Sequence, residues 1–140
     1  MKKIFLDTNV LLDYLAARQP FSLEAARLIE LSSRKKIRLF ISAVSFNNIY
    51  YILRRSISHK EAIHVLRELQ EFAEVIDLTK SIIKKSLNTE FSDFEDALQY
   101  SCARSVSGME IIVTRDAKGF KSSAIPVLTP KESLSAIDVN

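Results

Sequence analysis

Two apolar runs far apart in the chain end in the same way. Ile4-Phe5-Leu6 stops at Asp7-Thr8-Asn9, and Ile111-Ile112-Val113 stops at Thr114-Arg115-Asp116. Short runs of consecutive apolar residues bounded by polar ones read as strands covered on both faces. Such strands belong to parallel sheets, whose ligands bind outside the carboxyl ends. Asp7 and Asp116 are therefore expected at one sheet edge, as parts of an acidic site that the fold assembles.

The rest of the chain alternates in the same manner. Strands are expected at Lys3–Leu6, Arg38–Ile41, Glu74–Leu78, Glu110–Thr114 and Pro126–Leu128. Helical patterns fill the gaps: Asn9–Ala16, Leu23–Ser33, Ala43–Arg55, a segment running to Phe72, another ending at Leu87, and Asp93–Ser107. Ser58 with Glu61, Ser92 with Glu95, and Thr129 with Glu132 have the S/T-x-x-E spacing of capping boxes, which marks helix starts. Pro130 suits the first position of the last helix. Gly108 falls where a left-handed C-cap would end the helix that begins near Asp93. Strands separated by helices pair in parallel through right-handed crossovers. The expected fold is α/β, a three-layer α/β/α arrangement around a central parallel sheet.

With 140 residues, 47% of them hydrophobic and 26% charged, the chain is expected to form one domain over residues 1–140. Cys102 is the only cysteine, which excludes an internal disulfide and suits a reducing compartment. No apolar stretch reaches the ~20 residues of a membrane span, and the run behind Met1-Lys2-Lys3 breaks at Asp7, too early for a signal peptide. The cytoplasm is the expected location, without membrane attachment. A net charge of +3 permits a nucleic-acid partner without requiring one.

Asp93 and Asp96 lie three apart, on one face of the first turn of their helix. Acids there complement the helix dipole, so the pair has a structural use as well as a chemical one. Asp96 precedes Ala97-Leu98 and so falls near the apolar boundary. If Asp7, Asp96 and Asp116 converge, each pair of charges ~4 Å apart repels by about 4 kcal/mol at an effective dielectric of 20. A cation relieves that repulsion, and an all-oxygen carboxylate set selects a hard ion, Mg²⁺ or Mn²⁺. Such ions support phosphodiester hydrolysis.

These residues resemble a known family. Phe5-Leu6-Asp7-Thr8-Asn9-Val10-Leu11-Leu12-Asp13, Ile41-Ser42-Ala43-Val44, Asp93-Phe94-Glu95-Asp96-Ala97-Leu98 and Ile112-Val113-Thr114-Arg115-Asp116 with Phe120 follow in order along nearly the whole chain. Together they resemble PIN-domain ribonucleases, including the VapC-type toxins of toxin–antitoxin pairs. The resemblance implies a parallel five-stranded sheet in the order 3-2-1-4-5. It implies a metal-dependent endoribonuclease in which Asp7, Asp96 and Asp116 bind Mg²⁺ or Mn²⁺, Thr114 supports the last aspartate and Asn9 braces the loop. RNA would be the substrate and an antitoxin a protein partner. The chain departs from the family at one place: a glutamate within the third helix is replaced by Asn48, with Asn47 beside it. Either Asp93 supplies the missing charge or one metal position is lost. In the second case the domain would bind RNA or a protein without cutting.

Other polar residues have plainer uses. Asp77 is expected to be solvated or capping, Asp13 to have a local polar role, His59 and His64 to lie at the surface, and Cys102 to fill core. Phe46, Tyr50 and Tyr51 are expected to pack in the core, with a homodimer or antitoxin contact as the alternative use. Lys118 and Lys121 follow Asp116 closely enough to meet phosphates. A phosphoacceptor receiver domain would place its acceptor at Asp77 but needs two adjacent acids after the first strand, where only Asp7 stands. A serine-hydrolase elbow and a P-loop have no match in the sequence.

Overall fold

The computed structural model describes residues 1–137, so the last three residues of the unit expected over 1–140 lie outside the described residues. Five strands form one parallel sheet in the order β3-β2-β1-β4-β5. They are β1 (Lys2–Leu6), β2 (Ile37–Ser42), β3 (Glu74–Ile76), β4 (Met109–Val113) and β5 (Val127–Leu128). The helices are α1 (Thr8–Leu15), α2 (Ser22–Ser33), α3 (Ala43–Leu53), α4 (His59–Phe72), α5 (Lys80–Leu87), α6 (Phe94–Arg104) and α7 (Pro130–Ile137), with a 3₁₀ turn at Ala117–Phe120. Sheet order, strand direction and helical flanks agree with the expected three-layer fold.

Alternation along the strands builds a core on each face of the sheet. Ile4, Leu6, Leu39, Ile41, Ile111 and Val113 pack with residues of α1, α2, α3, α4 and α7. Phe5, Phe40 and Ile112 face the other way, toward Ile82 of α5, Tyr100, Cys102 and Ala103 of α6, and Phe120. This explains why the runs Ile4–Leu6, Leu39–Ile41 and Ile111–Val113 are apolar at every position.

The expected helix starts hold at Ser58 and Thr129. Ser58 and Glu61 form both bonds of a capping box, and Thr129 and Glu132 bond reciprocally at 2.9 and 3.2 Å. Gly108 adopts the expected left-handed conformation, φ +81, but it does not cap α6: the helix ends at Arg104 with Ser105 as its C-cap, and Gly108 lies in the turn that leads into β4. One start shifts by a residue. Asp93, not Ser92, caps α6, and its carboxylate accepts the Asp96 N–H at 3.0 Å. The Ser92–Glu95 and Asp93–Asp96 frames overlap, and the second is used. β3 stops at Ile76, short of Leu78, because it is an edge strand paired only through Glu74, Val75 and Ile76. Asp77 beyond it is exposed.

Candidate functional site

The register of the central strands assembles the site. Leu6 of β1 pairs with Val113 of β4, so Asp7 and Thr114 emerge side by side. The Asp7 N–H donates to the Val113 carbonyl at 3.0 Å, continuing the ladder one step past β1. Asp7 is also the N-cap of α1. Its Oδ1 accepts the Thr8 N–H at 2.8 Å and its Oδ2 accepts the Thr114 hydroxyl at 2.8 Å. The Thr114 Oγ1 in turn accepts the Asp116 N–H at 3.0 Å. One hydroxyl thus links the two strand-end aspartates.

A cleft of about 430 Å³ opens beside them, lined by Asp7, Thr8, Asn9, Leu12, Asn48, Tyr51, Ile52, Glu95, Asp96 and Asp116. Among the described residues, four carboxylates and no lysine or arginine are in that lining. Asp7, Asp96 and Asp116 all line it, as do Asn9 and Asn48. Asp93 does not line the cleft; its carboxylate caps α6 instead. The fourth acid is Glu95, whose spacing from Ser92 predicts only a capping role. The Asn48 Nδ2 donates to Glu95 Oε2 at 2.7 Å. No local signal could have found this bond, since its partners are 47 residues apart.

The electrostatics follow from the crowding. Asp7 is 5% exposed. Burial pushes its carboxyl up to about 6, against the lowering effect of the bonds from Thr114 and Thr8, and the charges of Glu95 and Asp116 raise it further. Asp96 rises to about 7, again through burial first, and then through Asp7, Asp93, Asp116 and Glu95. Both shifts are what negative groups without a counter-charge produce.

The carboxylates share the cleft but stand apart. Among the described residues, no three His, Cys, Asp or Glu side chains are gathered closely enough to hold a metal ion as they stand. Mutual repulsion favours that spread. Two are nonetheless near neighbours. A Cβ placed on Gly119 would lie 2.6 Å from Asp96 Oδ2 and 2.8 Å from Asp116 Oδ2. Both oxygens therefore border the same small space, which any larger residue would fill. The Asn9 Oδ1 in the same lining is buried and has no hydrogen-bond partner among the described residues. An all-oxygen donor set, a cradle kept clear by glycine and an unsatisfied amide oxygen together fit a hard divalent cation.

Beneath the cleft lies a buried polar network outside the sequence reading. The Gln99 Nε2 donates to Thr8 Oγ1 at 2.9 Å and to Ser45 Oγ at 3.2 Å, and the two hydroxyls are 2.8 Å apart. The network ties α1, α3 and α6 together, the helices that carry most of the lining. Asp13, expected to have a local role, is fully buried and bonded by Arg115 at 2.6 and 3.1 Å. Arg115 lies between Thr114 and Asp116 but points the other way, with its guanidinium 3.9 Å from the Phe21 ring. Cys102 is buried and both histidines are exposed, as expected. Phe46 and Tyr50 pack against the core, while Tyr51 is 66% exposed at the cleft. Among the described residues, no helix is long and apolar enough to cross a membrane.

Solved structures share this fold. A DNA-bound VapBC from Salmonella typhimurium superposes with a TM-score of 0.69 at 17% identity, covering 93% of this chain and 99% of that one. A toxin–antitoxin complex from Klebsiella pneumoniae gives 0.65 at 22% identity, covering 91% and 97%. The Mycobacterium tuberculosis VapC20 toxin, described as cleaving the sarcin-ricin loop, gives 0.61 at 19% identity, covering 78% and 86%. No curated protein matches the sequence. The family model for the PIN domain matches residues 3–118. With that match over most of its length, and with its sheet order and strand-end acids, the chain belongs to the PIN domain family.

Proposed function

We propose that this PIN domain is a metal-dependent endoribonuclease that hydrolyses RNA phosphodiesters, and that it acts as the toxin of a toxin–antitoxin pair. One observation carries the catalytic reading: four carboxylates line a single cleft whose walls include no cationic side chain. Asp7, Asp96, Asp116 and Glu95 would hold Mg²⁺ or Mn²⁺, with the Asn9 carbonyl oxygen as a further donor. A hard divalent ion there supplies a Lewis acid for the phosphoryl oxygens and favours ionisation of an attacking water.

The chain's own residues do the rest. Thr8 and Thr114 fix both oxygens of Asp7, so this carboxylate is preorganised before substrate arrives. Thr114 also orients the backbone that presents Asp116. Tyr51, largely exposed at the cleft, offers a face on which an unpaired base can stack, the usual way single-stranded RNA is held. Lys118 and Lys121, exposed just beyond Asp116, supply positive charge for flanking phosphates. The toxin reading is supported by the likeness to VapBC and other toxin–antitoxin complexes, and an antitoxin would be the protein partner. The alternative, an eroded domain that binds without cutting, rested on Asn48; the presence of Glu95 in the cleft weakens it.

The test is cleavage of single-stranded RNA by the purified protein with Mn²⁺, with chelator, and with Asp7→Asn. Cleavage that needs the ion and disappears in the variant is expected. Cleavage that survives both chelation and Asp7→Asn would sink the proposal.

A further inference from the structure

We infer that Glu95 is a member of the cation site and that Asn48 is the residue that positions it. The inference rests on the metal-site reading above and concerns how this particular chain completes it.

Three observations carry the argument. Asn48 and Glu95 both line the acidic cleft and meet there at 2.7 Å through Nδ2 and Oε2. A carboxylate has two oxygens, so a bond to Oε2 orients the group and leaves Oε1 to face a cation. An amide is the side chain suited to this task. It donates to a carboxylate without adding charge, whereas an acid at position 48 would set two like charges within bonding distance. Asp93, the other acid near this helix start, has its carboxylate on the Asp96 N–H and is absent from the lining.

On this view positions 48 and 95 form one unit that accommodates one acid and one amide. Asn48→Glu alone then does not repair the site; it opposes Glu95 and weakens it. Glu95→Gln alone removes the charge. The two together put the acid on α3 and the amide on α6, and restore the site.

The experiment measures Mn²⁺ binding by calorimetry and by the electron paramagnetic resonance of the free ion. The proteins are the parent, Asn48→Glu, Glu95→Gln, the double variant, Asp7→Asn and Asp93→Asn. Thermal melting of each in chelator shows that it folds, and the rise in melting temperature on adding Mn²⁺ gives a second readout that needs no cleavage assay. Expected are losses of about tenfold or more in affinity for each of Asn48→Glu and Glu95→Gln, with recovery toward the parent value in the double variant. Parent-like binding by Glu95→Gln, with loss in Asp7→Asn, overturns the role of Glu95 and leaves the metal site standing. Loss in Asp93→Asn with none in Glu95→Gln assigns the charge to Asp93 and also overturns it. A double variant no better than Glu95→Gln overturns the role of Asn48. If neither Asp7→Asn nor Glu95→Gln changes Mn²⁺ binding, the metal-site reading itself fails.

Discussion

Asp7 and Asp13 stand at opposite ends of the same short helix, and both are buried. Asp13, fully buried, is gripped by two guanidinium bonds from Arg115, with Arg18 3.9 Å away. Asp7, 5% exposed, receives only neutral donors and faces other acids. A buried charge is normally paired or else neutralised. Asp13 therefore joins α1 to the loop after β4. Asp7 is a charge that the fold leaves uncompensated, at a cost that a bound cation would offset. The contrast separates an acid paired within the fold from one left unpaired, without reference to sequence motifs.

The largest effect should come from Asp7→Asn, which keeps the shape and removes the charge. RNA cleavage should fall by about a thousandfold, whereas urea unfolding in chelator should show no loss of stability. A clear loss there would mean that Asp7 is as structural as Asp13. The opposite behaviour is expected of Arg115→Ala. It strands the buried Asp13 charge, and unfolding stability should drop by about 3 kcal/mol. A drop within about 0.5 kcal/mol would show that Arg18 suffices.

Gly119→Ala sharpens the comparison on the chemical side. The new methyl group would crowd Asp96 and Asp116. Mn²⁺ affinity should weaken by about tenfold, with melting in chelator little changed. Gln99→Leu probes the floor beneath Asp7. Thr8 and Ser45 keep each other but lose the amide, and stability should fall by about 1 kcal/mol in denaturant titration.

The smallest effect is on pH. The carboxyls of Asp7 and Asp96 are raised from 3.8 to about 6 and about 7, so between those limits the folded state binds more protons than the unfolded one. In chelator, their contribution to stability should be fully present below pH 3.8, decline as pH rises above it, and level off once pH passes about 6 for Asp7 and about 7 for Asp96. Glu74 is shifted the other way by Arg38, so its contribution is lost only on acidification, below that window. Melting temperatures between pH 5 and 8 should therefore slope downward, and saturating Mn²⁺ should flatten the slope. A flat profile in chelator would place Asp7 with Asp13 after all.

Much of this was legible in the residues. Strand ends at Asp7 and Asp116 follow from apolar runs that break at polar residues, and caps at Ser58 and Thr129 follow from local spacing. These signals span a few residues each. The Asn48–Glu95 bond and the Gln99–Thr8–Ser45 network join different helices, and only the docking of those helices on the sheet creates them. The start of α6 shows the limit even locally. Ser92 and Asp93 are both competent caps one residue apart, and the spacing rule has no means of choosing between them. Arg115 was legible only in part: strand alternation turns it away from Asp116, but nothing nearby indicates that Asp13 awaits it.

The place of β1 in the sheet has a consequence for how the molecule breathes. Asp7 follows the central strand, paired on both sides, while Asp116 follows a strand whose outer neighbour is the two-residue β5. Amide hydrogens of β1 should be among the last to trade with solvent deuterium, and those around Val127 and Leu128 among the first. The acidic cleft therefore straddles a seam between slow and fast fluctuation. Detachment of the β5 margin would free the outer side of β4 while β1 stays anchored, so the side of the site that carries Asp116 would loosen before the domain unfolds.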